Sequence, residues 1–179
     1  AKKMATYRGT VFHEVLETMF LRTLETPQDR TVELALEIMR ELFPTLVSEE
    51  IAQEMELDEI GVQTFARDLA KYIRTYFTME NPKEITTEGI EIKIDHEMVD
   101  SKMDTFLLRG ILDRLDRDPN GDLVIVDYKT GKSAKYASVD QLEILSLAVF
   151  KHFPQVKSVK GGLAFVVAND FVNAAFDAG

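Results

Sequence analysis

Residues 124–133 read Val-Ile-Val-Asp-Tyr-Lys-Thr-Gly-Lys-Ser, and two readings compete for them. The end, Gly131-Lys132-Ser133, matches the close of a phosphate-binding loop, G-x-x-x-x-G-K-[ST]. The first glycine of that pattern belongs at position 126, which is Val126, and the next helical pattern starts only near Ser138. A phosphate loop needs several backbone N–H groups converging at a helix start, so this reading fails. The other reading is a strand. Leu123 to Val126 is continuous and apolar, as in a strand buried on both faces. Alternate strand residues share a face. Asp127 and Lys129 therefore project to one side, and Tyr128 to the other.

The preceding strand covers residues 105–116. It joins this one through Asp118-Pro119-Asn120-Gly121, a strong turn signal. With a three-residue loop at 119–121, Asp113 lies directly opposite Asp127, and such pairs have Cβ atoms about 4.5–5.5 Å apart. Two carboxylates that close repel, and one takes up a proton unless a cation lies between them. Converging oxygen donors suit Mg²⁺ or Mn²⁺. A lysine beside them suits a phosphate or an attacking water. Spacing alone also permits a structural ion-pair cluster of Asp113, Asp127 and Lys129, with Arg114 or Arg109 assisting. A calcium loop is a further temptation, since Asp116, Asp118, Asn120, Gly121 and Asp127 match its spacing. That loop needs a helix on each side, and here both flanks read as strands.

Further out, residues 88–98 alternate, with Ile90, Ile92 and Ile94 set against Glu91, Lys93 and Asp95, as a half-buried strand does. Residues 9–25 read as a helix on the spacing of Val11, Phe12, Val15, Leu16, Met19 and Phe20. Residues 31–43 form a second helix that Pro44 is expected to end. Residues 48–79 carry helical pattern with a break near Gly61. A helix from Ser138 to about His152 precedes a last buried strand at 161–168. Two hairpin-like links and one helical crossover imply a mixed sheet with helices packed on it.

Composition sets limits. The 179 residues are 45% hydrophobic, enough for one core and too few for two large domains. No run of about 18 apolar residues exists, so no membrane partner is expected. The absence of cysteine excludes disulfides, cysteine-bound zinc and a cysteine-ligated iron–sulfur cluster. The composition fits a cytoplasmic location. The chain starts without Met, as a fragment or processed protein would. Net charge is −10, which at face value opposes a nucleic-acid partner. The acid is concentrated, however: residues 31–60 carry net −8 and residues 128–160 net +4, leaving room for a locally basic surface.

Taken together, Gly9-Thr10-Val11-Phe12-His13, Gly110-Ile111-Leu112-Asp113-Arg114-Leu115-Asp116, Val126-Asp127-Tyr128-Lys129-Thr130-Gly131 and Gln141-Leu142 resemble the motifs of the RecB/AddB-type nucleases of the PD-(D/E)XK superfamily. The resemblance covers roughly residues 7–168. It implies an α/β, restriction-endonuclease-like core: a mixed sheet flanked by helices, with an N-terminal helical segment. Residues 1–179 would form a single nuclease domain, with 1–80 mainly helical and 88–168 the catalytic core. It also implies a Mg²⁺- or Mn²⁺-dependent deoxyribonuclease, most simply an exonuclease acting on linear DNA ends or single strands in recombination, repair or processing. His13, Asp113, Asp127 and the Tyr128 carbonyl would bind the metal. Lys129 and Gln141 would complete the catalytic set, Glu91 would support it, and Lys132 and Lys135 would contact DNA. Ser138 and Gln141 also fit a capping box. Members often carry Tyr four residues after the Gln; here Leu145 stands there. The competing class is a catalytically weak or inactive DNA-end-binding or scaffold module of the same fold.

Overall fold

The computed structural model describes residues 2–99, 102–130, 139–165 and 170–177. Helix α1 (Lys2–Arg22) buries Val11, Phe12, Val15, Leu16, Met19 and Phe20 along one face. Helix α2 (Val32–Leu46) begins at Thr31, whose side chain accepts the N–H of Leu34. Pro44 does not end it. The proline sits in the last turn, where only one backbone bond is forfeited and Phe43 packs edge-on against Phe65. The long helical stretch divides into α3 (Glu49–Glu54) and α4 (Glu59–Met79). The break precedes Gly61, because Asp58 caps α4 by accepting the Gly61 N–H at 2.7 Å.

Among the described residues, five strands form one sheet in chain order: β1 (Thr86–Val99), β2 (Thr105–Arg117), β3 (Leu123–Lys129), β4 (Ser158–Phe165) and β5 (Asp170–Asp177). All neighbours are antiparallel except β3 and β4, which α5 (Val139–His152) links. A parallel pair needs such a crossover. The strand expected at 161–168 is β4, which begins three residues earlier, at Ser158. Strand β5 was not expected, although Val172, Ala174 and Phe176 alternate and pack on the α5 core.

The sheet is covered on both faces. Val126, Tyr128 and Ala164 join a core with α1, α2 and α4. Leu123, Ile125 and Leu163 join a second with α5. Both β1 and β2 change faces at one level. Ile90 packs toward the α1 side, whereas Ile92 and Ile94 pack toward α5, so the three isoleucines do not share one face. Their register pairs Ile90 with Arg114 and Ile92 with Leu112, skipping Glu91 and Asp113. Glu91 takes a positive φ of 47°, uncommon for a side chain of its kind. This irregularity turns Glu91 and Asp113 toward α1, where both line a small cleft with His13 and Glu17.

Candidate active site

The β2–β3 ladder has the register of a three-residue loop, from Arg117↔Leu123 to Arg114↔Val126. The next pair would be Asp113 and Asp127, and there the strands part. The N–H of Tyr128 donates to Asp113 Oδ2 at 3.0 Å, and Asp113 also hydrogen-bonds Asp127. Lys129 Nζ lies 2.7 Å from Asp127 Oδ2, as two residues on one strand face should. His13 approaches from α1. Its Nε2 donates to the Tyr128 carbonyl at 2.9 Å, because a carbonyl can only accept, and it lies 3.6 Å from Asp113 Oδ2.

Gly9 makes this approach possible. It precedes His13 by one helical turn, so the two share a face. A Cβ at Gly9 would stand 2.5 Å from Thr130 Oγ1, so either the Thr130 side chain must turn or α1 must shift from the end of β3.

The electrostatics are those of crowded acids. Burial, and then the hydrogen bond and charge of Asp127, push the Asp113 carboxyl up to about 8. Burial lowers His13, against the pull of the Tyr128 carbonyl and Asp127. One turn beyond His13, burial and a hydrogen bond to Glu91 push Glu17 up to about 7. Glu17 was not among the sequence candidates. Its signal was the four-residue step from His13, which puts both on one helix face.

Arg114 does not help to neutralise Asp113. It points into the helical core, where its Nε donates to Asp116 at 2.9 Å and its Nη2 to Glu80 at 3.0 Å. Its Nη1 donates to the Tyr128 hydroxyl at 2.6 Å and to Tyr76 at 3.4 Å. Its guanidinium and that of Arg30 lie against the Phe20 ring. Asp118 instead stabilises the hairpin turn and pairs with Lys160 at 2.6 Å. Asp116, Asp118 and Asp127 thus serve different partners, which disposes of the calcium loop.

The structure therefore brings together His13, Asp113, Asp127, Tyr128 and Lys129, with Glu91 in the adjoining cleft. Lys132, Lys135, the Gly131-Lys132-Ser133 end and Ser138 lie outside the described residues, as do the side chains of Gln141 and Arg109. Leu145, at the position where tyrosine is frequent, is buried in the α5 core. Among the described residues, no three His, Asp or Glu side chains form a ready-made cation cage; the donors meet in pairs. Their chemistry fits a hard divalent cation: two carboxylates, a carbonyl oxygen and an imidazole. Also among the described residues, no helix is long and apolar enough to cross a membrane.

A family model described as the PD-(D/E)XK nuclease superfamily matches residues 2–172. Comparison with curated proteins gives no match. Among solved structures, "Crystal structure of SSO0001" overlaps with a TM-score of 0.36 at 11% identity, over 90% of this chain and 76% of that one. That overlap is too loose to transfer any residue's role.

Proposed function

The chain belongs to the PD-(D/E)XK nuclease superfamily, and from that premise we propose that it is a RecB/AddB-type deoxyribonuclease that hydrolyses DNA phosphodiesters with Mg²⁺ or Mn²⁺, working as an exonuclease in recombination, repair or processing. The observation that carries this reading is the parting of β2 and β3 at Asp113, beside the Asp127–Lys129 pair and under His13.

His13, Asp113, Asp127 and the Tyr128 carbonyl would hold the cation, in place of the proton that Asp113 keeps. When bound, it would neutralise the phosphate, acidify a water and stabilise the leaving oxygen. Lys129 would orient that water and balance charge developing on the phosphorus oxygens, with Asp127 fixing its ammonium. Gln141 would help to orient the water, the lysine or the phosphate. Glu91 and Glu17 would brace the cluster from the α1 side. Lys132 and Lys135 would hold the DNA backbone after the strand.

The test is incubation of linear and closed-circular DNA with Mg²⁺ or Mn²⁺, with Asp127→Ala and Lys129→Ala in parallel. The expected result is degradation of linear DNA by the wild type alone. Cleavage of circles would remove the exonuclease part. DNA binding without metal-dependent cleavage would leave the scaffold reading in its place.

A further inference from the structure

Tyr128 is the point where two systems meet. Its peptide groups touch the candidate site: the N–H donates to Asp113 and the carbonyl accepts from His13. Its ring is buried in the helical core. The hydroxyl accepts from Arg114 Nη1, and Arg114 is itself only 1% exposed. Arg114 in turn is gripped by Glu80 at the C-terminal cap of α4, by Asp116 of β2 and by the Phe20 ring of α1, with Tyr76 only at 3.4 Å.

We infer that Arg114, through the Tyr128 hydroxyl, is the positioning residue for the Asp127–Lys129 segment. Two observations lead there. First, the ladder to β2 stops at Val126, so beyond it β3 is held by backbone pairing on the β4 side only, as Tyr128↔Ala164. On the β2 side two side chains take over from the ladder: Asp113 accepts the Tyr128 N–H, and Arg114 holds the far end of the ring through the hydroxyl. Second, a buried ionic network is a poor route to stability, since well-packed apolar residues often do as well or better. What it supplies is direction. Three elements converge on the Arg114 guanidinium, which through one hydroxyl sets the height and tilt of the peptide that carries the candidate ligands. This inference rests on the nuclease reading for its activity measurement, though not for its binding measurement.

Two single-atom changes separate positioning from stability. Tyr128→Phe and Tyr76→Phe each delete one hydroxyl from the same buried network. Only Tyr128 belongs to β3; the Tyr76 hydroxyl donates to Glu80 at 2.6 Å within α4 and its cap. Thermal unfolding should fall by similar amounts in both. Tyr128→Phe should lower kcat on linear DNA roughly 10–100-fold with KM within about twofold, the usual cost of losing a supporting partner. Its Mn²⁺ affinity, measured by calorimetry without DNA, should weaken by a similar factor. Tyr76→Phe should keep both values within about twofold. Equal losses in the two variants, or wild-type kcat and Mn²⁺ affinity in Tyr128→Phe, would overturn the inference. Mn²⁺ binding without cleavage by the wild type would sink the nuclease reading while the two affinities still decide this one. A wild type that neither binds Mn²⁺ nor cleaves would remove both.

Discussion

Asp113 and Arg114 are chain neighbours that face two charge clusters of opposite design. Around Arg114 the books balance: two arginines, 114 and 30, sit among Glu80 and Asp116, and nearly every polar atom is satisfied. Burial pushes Glu80 up, yet the Arg114 charge outweighs it and leaves the carboxyl below its ordinary value. Around Asp113 the signs do not balance. Among the described residues, Glu17, Glu91, Asp113 and Asp127 face one lysine and a histidine that burial keeps from charging. The first cluster resembles a structural tie. The second has surplus acid, held at a break in the sheet and beside a strained residue, as the proposed cation site would require.

The largest expected effect comes from exchanging the two designs. Arg114→Ala would leave Glu80 and Asp116 buried without their ion-pair partner, at a cost of about 3–5 kcal/mol and a drop in Tm of roughly 6–20 °C. Asp113→Asn should do the opposite in chelator at pH 8. The amide oxygen still accepts the Tyr128 N–H, and one repelling charge is gone, so Tm should hold or rise while cleavage falls to the Asp127→Ala level. Thermal unfolding and DNA degradation on the same samples check both halves. A large loss of stability in Asp113→Asn would make Asp113 a structural residue.

Next in size is Gly9→Val. The added carbons meet Thr130, and any shift of α1 separates His13 from the Tyr128 carbonyl. Cleavage should fall on the order of 10–100-fold, with far less change in Tm than Arg114→Ala. Gly9→Ala should be milder if Thr130 can rotate away.

How far the sequence reached follows from the same two clusters. Asp113 against Asp127, and Lys129 beside them, were legible because a strand's period of two and a three-residue turn fix who faces whom. His13 needed the family resemblance, since a lone histidine on a helix edge announces no partner more than a hundred residues away. The face change at Glu91 was hidden: alternating isoleucines look the same whether or not a positive φ interrupts them. Whether Arg114 assists an ion-pair cluster at Asp113 was left open, because alternation across an irregular strand does not say which core a charged residue enters. Pro44 and the break before Gly61 show local propensity yielding to packing and to an Asp cap.

The acid surplus also predicts a direction with pH. Asp113 near 8 and Glu17 near 7 keep protons in the folded protein that the unfolded chain releases at ordinary carboxylate values. The folded state thus binds more protons between about pH 4 and 8, so metal-free stability falls as pH rises through that window. Glu80, shifted downward, and the similarly shifted Glu41 and Asp118 lose their contribution only as pH falls through the acid range below it. A divalent cation competes for the same carboxylates as the protons do. Mn²⁺ should therefore raise Tm more at pH 8 than at pH 6, by an amount that grows with its concentration. A Tm gain independent of pH would place the cation elsewhere.

The smallest effect tests the strain. Glu91 holds a φ of 47°, a left-handed value that costs a residue with a side chain about 1–2 kcal/mol and glycine little. Glu91→Gly relieves that strain and also removes the partner that pushes Glu17 up, although glycine adds unfolded-state freedom in return. The net gain in chelator should be about 1 kcal/mol or less at pH 7, and should shrink toward pH 5, where Glu17 is protonated in either protein. If Glu91 only braces the cluster, DNA cleavage with excess Mn²⁺ should fall by no more than about tenfold. A loss as deep as that of Asp127→Ala would instead make Glu91 a ligand in its own right. The strained turn of β1 would then belong to the metal-binding set together with the broken ladder of β2 and β3.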